Sequence, residues 1–334
     1  MTQSDTYLAL DGENVVIRKD NDEFMRLPLH NLEGIVAFGY TGASPALMGA
    51  CAKRDIDLSF LTQSGRFLAR VAGEVRGNVL LRHKQHQIYD NEAESLSIAK
   101  NIVAGKIYNS RWVIERTLRD HEMRVDIALL KEVSLALKQT SIDLFECDDI
   151  EQLRGIEGNA AERYFGVFNQ LILQNKDYFA FSGRNRRPPL DPINSLLSFT
   201  YVLLARDTAS ALESVGLDPY VGFLHRIHPG RVSLALDLME ELRSVVADRF
   251  VLTLINKREV GADGFEKNEN GAVIIKDDTR QVVLRAWQVR KQETLNHPFL
   301  GEKISWGLVP YVQALLLARF LRGDLDEYPP FMWK

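Results

Sequence analysis

Glu92-Ala93-Glu94-Ser95-Leu96-Ser97-Ile98-Ala99-Lys100-Asn101-Ile102-Val103 is where the pattern of the chain changes. Before it, apolar residues come in short or alternating runs. From Glu92 they recur every three to four positions, at Leu96, Ala99, Ile102 and Val103, and further on at Ile107, Ile114 and Leu118. A period of two sends alternate side chains to opposite faces of a strand, whereas a period between three and four lays them along one helix face. The expected fold is α+β and multidomain: a small strand-rich N-terminal domain, residues 1–85, then a larger, mainly α-helical domain, residues 86–334.

Working back from Glu92, strands are expected at Tyr7 to Leu10, Val15 to Ile17, Phe24 to Leu27, Gly34 to Phe38, Leu58 to Leu61 and Phe67 to Val71. Asp11-Gly12-Glu13-Asn14 is a hairpin signal, Ser64-Gly65 a second tight turn, and Ser44 to Arg54 has helical character. Working forward, helices are expected at Ile127 to Lys138, Ile150 to Gln174, Pro192 to Val215, Gly230 to Arg249 and Ser305 to Arg322. Gly264 to Thr279, with Asn268-Glu269-Asn270-Gly271, interrupts them as a small hairpin.

The 334 residues are 46% hydrophobic and 26% charged, the composition of an ordered globular chain with material for two cores. Cys51 and Cys147 stand in no metal-ligand spacing and are expected to be buried thiols in a reducing, cytoplasmic setting. Met1 to Asp11 lacks a basic flank and apolar stretch of the signal-peptide kind, and runs such as Ala314 to Ala318 are too short to cross a bilayer, so no membrane partner is expected. A net charge of −4 means that any DNA contact must come from local patches.

Three clusters carry chemistry. In Arg154-Gly155-Ile156-Glu157-Gly158, a helix would align Glu157 with Ala161, Tyr164 and Phe168, with Gly158 and Ala161 leaving room for another element to approach. Glu157 reads equally as a cation ligand or as a helix carboxylate favoured by the dipole. In Gly222-Phe223-Leu224-His225, followed by Asp237-Leu238-Met239-Glu240-Glu241, three acids interrupt the apolar series Leu234, Leu238, Leu242 and Val245. Taken alone, the acids read first as a solvated helix face and His225 as a structural histidine. Two carboxylates with one imidazole would suit Mn²⁺ or Mg²⁺, and hence phosphodiesters. In Gly183-Arg184-Asn185-Arg186-Arg187-Pro188-Pro189, three arginines on a proline-stiffened loop could grip phosphates or simply be solvated. Arg66, Arg70, Arg76, Arg82 and Lys84, against Glu74 alone, make a second basic stretch.

Together these segments resemble the CRISPR-associated integrase family, the catalytic subunit of the spacer-acquisition complex. The resemblance rests on Arg154 to Gly158 with Tyr164, on Gly222 to His225, on Asp237 to Arg243, and on Arg186-Arg187-Pro188-Pro189 through Asp191-Pro192-Ile193-Asn194 to Ser198. Asp326-Glu327-Tyr328-Pro329-Pro330-Phe331 and the length look most like the type I-C branch. The resemblance implies a metal-dependent DNA endonuclease and integrase that inserts spacer DNA into the array through a 3′-hydroxyl. Glu157, His225 and Glu240 would hold Mg²⁺ or Mn²⁺; Asp237, Tyr164 and Asn194 would support them; Arg184, Arg186, Arg187, Arg66 and Arg70 would contact DNA. Implied partners are double-stranded DNA (prespacer and leader–repeat), a second copy joined through the strand-rich domain, and a small ferredoxin-like subunit. Two other functions fit the same residues: a stand-alone metal-dependent repair nuclease, and a non-catalytic DNA-binding scaffold whose acids pair with Arg231 or Arg243.

Overall fold

The computed structural model describes residues 6–19, 22–32, 34–39, 41–54, 56–62, 67–71, 73, 79–185 and 187–334, which fall into two compact units, Met1–Arg76 and Gly77–Lys334. The first is strand-rich and the second mainly helical, as the change of period at Glu92 requires.

The first unit runs β1 (Thr6–Asp11), β2 (Asn14–Lys19), β3 (Asp22–Pro28), β4 (Gly34–Phe38), β5 (Gly42–Ala43), α1 (Pro45–Lys53), β6 (Asp57–Leu61) and β7 (Phe67–Val71). At the expected hairpin Asp11 stands opposite Asn14, and Gly12 adopts φ +57°, a conformation that glycine takes at no steric cost. One sheet has the order β3-β2-β1-β5 and the other β4-β6-β7, with β4 parallel to β6. Ser44 caps α1 by accepting from the Leu47 N–H at 3.2 Å, and Leu47 and Cys51 pack with Leu8, Val15, Ile17 and Leu58 in the core. Both cysteines are buried and free. The β3 strand is exposed almost throughout. The turn expected at Ser64-Gly65, together with Arg66, Arg76 and Arg186, lies outside the described residues.

The second unit begins with a helix outside the expected elements, α2 (Val79–Asp90), which buries Leu81, Gln85 and Ile88 one and two turns apart. The compact units therefore divide at residues 76 and 77, ahead of the boundary expected at 85, and Arg82 and Lys84 of the basic stretch belong to a helix of the second unit. Next come α3 (Glu92–His121), about 45 Å long at 1.5 Å per residue, α4 (Ile127–Asp143), α5 (Ile150–Gly166), the short α6 (Phe168–Leu171), α7 (Pro192–Ser214) and α8 (Ser233–Leu242). A π-helical turn, Arg243–Asp248, leads into α9 (Arg249–Asn256). The hairpin expected near residue 270 forms from β8 (Phe265–Lys267) and β9 (Val273–Ile275); α10 (Asp277–Gln292), β10 (Thr294–Asn296), β11 (Lys303–Ser305) and α11 (Val309–Leu321) complete the chain. The helix expected over Ile150 to Gln174 stops at Gly166, and the one expected over Gly230 to Arg249 widens at Arg243. Helix α3 packs against α4, α5 and α8, and α7 against α8 and α11, so α8 is enclosed. No helix among the described residues is long and apolar enough to cross a membrane.

Candidate metal centre

Enclosure of α8 decides the fate of its acids. Asp237 and Glu241 are fully buried and Glu240 is 3% exposed, so the three form no solvated face. A buried carboxylate is costly unless it is paired, and each of the three has its own set of partners.

Asp237 is wrapped by the loop that carries His225. Its Oδ2 accepts the backbone N–H groups of Phe223 (2.5 Å) and Leu224 (2.9 Å), and its Oδ1 accepts the His225 N–H (2.9 Å) and meets His225 Nδ1 at 2.6 Å. Every other contact of this carboxylate receives an N–H, so Nδ1 donates here as well, leaving Nε2 with its lone pair free for a cation. Gly222 makes the wrap possible: a Cβ there would lie 2.6 Å from Asp237 Oδ2 and 2.8 Å from the Ser233 carbonyl carbon. The close approach foreseen at Gly158 is absent, since that residue faces open space. On the far side, Gln85 of α2 donates to the Asp218 and Val221 carbonyls, and Arg154 of α5 donates to the Leu224 carbonyl at 3.0 Å, fixing the loop from both ends.

Glu157 lies two turns inside α5, whose N-terminus is capped by Asp149. A dipole effect fades within the first turn, which removes the bland explanation of this carboxylate. Lys106, on α3, bonds Glu157 Oε1 and lies 2.7 Å from Glu240 Oε2, while Arg243 reaches Glu240 Oε1 at 3.0 Å. Burial works to raise the Glu240 carboxyl, but Arg243 and then Lys106 outweigh it and hold the group well below its ordinary value.

The donor set suits a divalent cation. Two carboxylates from different helices converge on one positive centre, Glu240 Oε2 is closed to solvent with the Lys106 ammonium as its partner, and His225 has one nitrogen fixed and the other free. Among the described residues, no three His, Cys, Asp or Glu side chains are grouped closely enough to hold a metal as they stand. Lys106 sits where Glu157 and Glu240 meet.

A cavity of about 40 Å³ opens beside them, lined by Lys106, Glu157, Tyr164, Arg184, Tyr201, Arg243 and Asp248 among others. The wide π turn brings Arg243 and Asp248, five residues apart, to the same side chain: the Tyr201 hydroxyl donates to Asp248 Oδ1 at 2.6 Å, and Arg243 lies 4.9 Å from the Tyr201 ring centroid. Burial raises the Asp248 carboxyl to about 6 despite those bonds. Tyr164 is buried next to Asp248; burial, then the negative charge of Asp248, push its phenol well above the ordinary value.

The arginine loop divides. Arg184 points inward, donating to Asn194 Oδ1 (2.7 Å) and Ser198 Oγ (3.1 Å) and stacking 5.2 Å from the Tyr201 ring centroid. Asn194, fully buried, also accepts the Asn185 N–H and donates to Gly183 O and Asp191 Oδ2, so it fastens the loop to the start of α7 and contacts none of the three candidate ligands. Arg187 is exposed, Arg70 lies on β7 opposite Ser59, and Arg66 and Arg186 are not described. Sequence reasoning missed Lys106, although a lone cation between Ile102-Val103 and Ile107 is the kind of residue that needs a buried partner. It also missed Tyr201, Asp248 and the Glu241 partners Tyr328, Gln313 and the Phe331 N–H.

These features define a two-unit α+β protein with a candidate cation site inside its helical unit. The family model for CRISPR associated protein Cas1 matches residues 1–289. CRISPR-associated endonuclease Cas1 1 of Chlorobaculum tepidum is 49% identical over 334 residues, covering 100% of this chain and 97% of that protein. The chain belongs to the CRISPR-associated Cas1 family. Among solved structures, a chain of a Cas6-RT-Cas1–Cas2 complex has a similar fold, with TM-score 0.83 and 24% identity; the match covers 100% of this chain and 36% of that longer one. A casposase bound to integration product is also similar, with TM-score 0.82 and 23% identity over 98% of this chain and 92% of that one.

Proposed function

We propose that this protein is a divalent-metal-dependent DNA endonuclease and integrase of CRISPR adaptation, inserting prespacer DNA at the leader–repeat by attack of a 3′-hydroxyl. Convergence of Glu157 and Glu240 on one positive centre, with His225 fixed by Asp237, is the observation that carries this function. It is supported by the relative named as an endonuclease and by the casposase whose fold is similar and which was solved with an integration product. Glu157, His225 Nε2 and Glu240 are the proposed ligands. A bound Mg²⁺ or Mn²⁺ would promote deprotonation of the 3′-hydroxyl and stabilise the charge that develops during in-line displacement. Asp237 holds the imidazole in the required tautomer, and Arg243 keeps Glu240 ionised and aimed. Tyr164 is no nucleophile: its phenol is buried and resists deprotonation.

Arg187 and Arg70, with Arg66 and Arg186, are the proposed DNA contacts, whereas Arg184 holds the loop that carries Arg187. A homodimer joined through the first unit is supported by exposed Phe24, Met25 and Leu27 on β3, since a strand of this kind is a template for pairing. A small ferredoxin-like partner is supported by the neighbour solved in a complex with Cas2. The cytoplasm is the proposed setting, and the Asp326 to Phe331 run supports the type I-C branch. A scaffold reading gains something from the Glu240–Arg243 pair, but Arg231 turns away to Ser233 and the Arg226 carbonyl. Incubation with a plasmid carrying an array and a 3′-hydroxyl duplex separates the possibilities. Integration at the leader end with Mg²⁺ or Mn²⁺, and none with EDTA, is expected; cutting without insertion indicates a repair nuclease, and binding without cutting indicates a scaffold.

A further inference from the structure

Away from the candidate metal centre, three guanidinium groups gather around two tryptophans. Arg249, the first residue of α9, lies 4.4 Å from the Trp333 ring centroid, and Arg116 of α3 lies 5.8 Å from the same ring. Trp306 is 5.5 Å from Trp333, and Arg290 of α10 lies 4.4 Å from the Trp306 centroid. Arg116 has Asp120 at 3.3 Å, and Arg290 pairs with Glu293. Among the described residues Arg249 forms no hydrogen bond or ion pair with its side chain, and its Nη1 is closed to solvent without a partner. Burial, then the charges of Arg116 and Arg290, lower its guanidinium to about 9, a cost that an anion would relieve.

We propose that Arg249, Arg116 and Arg290 form a binding subsite for a phosphodiester group of DNA, separate from the metal centre and from the arginine loop. Guanidinium groups suit this task because their planar donors match two phosphate oxygens at once. Both tryptophans already carry arginines on their rings, so the subsite grips backbone and does not stack bases. Its position fits a strand leaving the metal centre, on which the proposal rests. Arg249 directly follows Asp248, which lines the cavity shared with Lys106 and Glu157, and Arg116 stands ten residues beyond Lys106 on α3, about 15 Å at 1.5 Å per residue. That length is about four nucleotides of a B-form strand.

The test uses the full chain in EDTA, with a fluorescein-labelled oligo-dT and a labelled duplex of mixed sequence, read by anisotropy across a salt series. Arg116→Gln and Arg249→Gln are each expected to weaken binding by roughly three- to tenfold and to reduce the salt slope by about 0.7 for single strands or about 0.9 for duplex. Arg249→Lys is expected to recover part of the loss. Weakening confined to one probe tells whether an overhang or the duplex body occupies the subsite. Unchanged affinity and slope in both glutamine variants would overturn the proposal and leave the cluster as an anchor for Trp333. Should Arg249→Gln fail to fold, Arg116→Gln decides alone, because its side chain is exposed. Failure of the integrase function would instead show in the wild-type protein, as DNA binding without cutting.

Discussion

The acids of α8 and the arginines of the 183–191 loop look alike in the sequence, each being three like charges within a few residues. In the structure they are treated differently. The acids are all buried and each is assigned separate work: Asp237 orients His225, Glu240 faces Lys106 and Arg243, and Glu241 fastens Tyr328, Gln313 and the Phe331 N–H. The loop keeps Arg184 inside as its own fastening and leaves Arg187 exposed. Spacing along the chain therefore reports neither burial nor role; what packs on the helix or loop decides both.

Glu240→Ala is expected to have the largest effect. It should abolish cleavage and integration and also destabilise the fold by about 3–5 kcal/mol, because Lys106 and Arg243 would remain as buried charges without their shared partner. Thermal denaturation alongside a metal-dependent nicking assay checks both. Asp237→Asn comes next: its amide would turn an N–H toward the Phe223 and Leu224 donors, and loosening of His225 should weaken metal affinity or activity about 10–100-fold. An Asp237 variant that loses all activity beside an active Glu240 variant would reverse the ligand assignment.

Asp248 adds a pH dependence. Its carboxyl rises from 3.8 to about 6 on folding, so the stability it contributes is complete below about pH 4 and is lost as pH rises through 6. Asp248→Asn should flatten the melting-temperature profile across that window. In the arginine loop, Arg184→Gln should cost about 1.5–3 kcal/mol by removing the charge-assisted hydrogen bonds to Asn194 Oδ1 and Ser198 Oγ. Arg187→Gln should leave stability alone and lower the duplex salt slope by about 0.9. Equal losses of slope would make both arginines phosphate contacts. The smallest effect is expected from Tyr164→Phe, which should retain substantial strand transfer; a trapped phosphotyrosyl adduct would refute the mechanism.

Much of this architecture was legible in the sequence because helix and strand periods differ and the Asp11–Asn14 turn has few alternatives. Helix α10 was not, since Val283 and Trp287 give it only a thin apolar stripe and Arg280 is buried among them. Helix α2 hid behind arginine and lysine residues that point away from Leu81 and Ile88. At the site, the carboxylates and His225 could be named from their motifs. Lys106, more than fifty residues from Glu157, could not, because it is joined to its partners only by the packing of α3 on α5 and α8. Gly222 was visible as part of a motif, but its reason, the space claimed by Asp237, exists only in three dimensions.

Lys106 also bears on the order in which the protein is made ready. Two carboxylates brought together would repel, and many small metal proteins remain unfolded until an ion arrives to prevent that. Here the chain carries its own ammonium to the meeting point of Glu157 and Glu240. The helical unit can therefore assemble in an ion-poor environment, and under the proposed function an incoming cation would have to dislodge a resident instead of filling a hole. Under that proposal, maturation and arming would be separate events, with the second set by ion supply and the first by the chain alone.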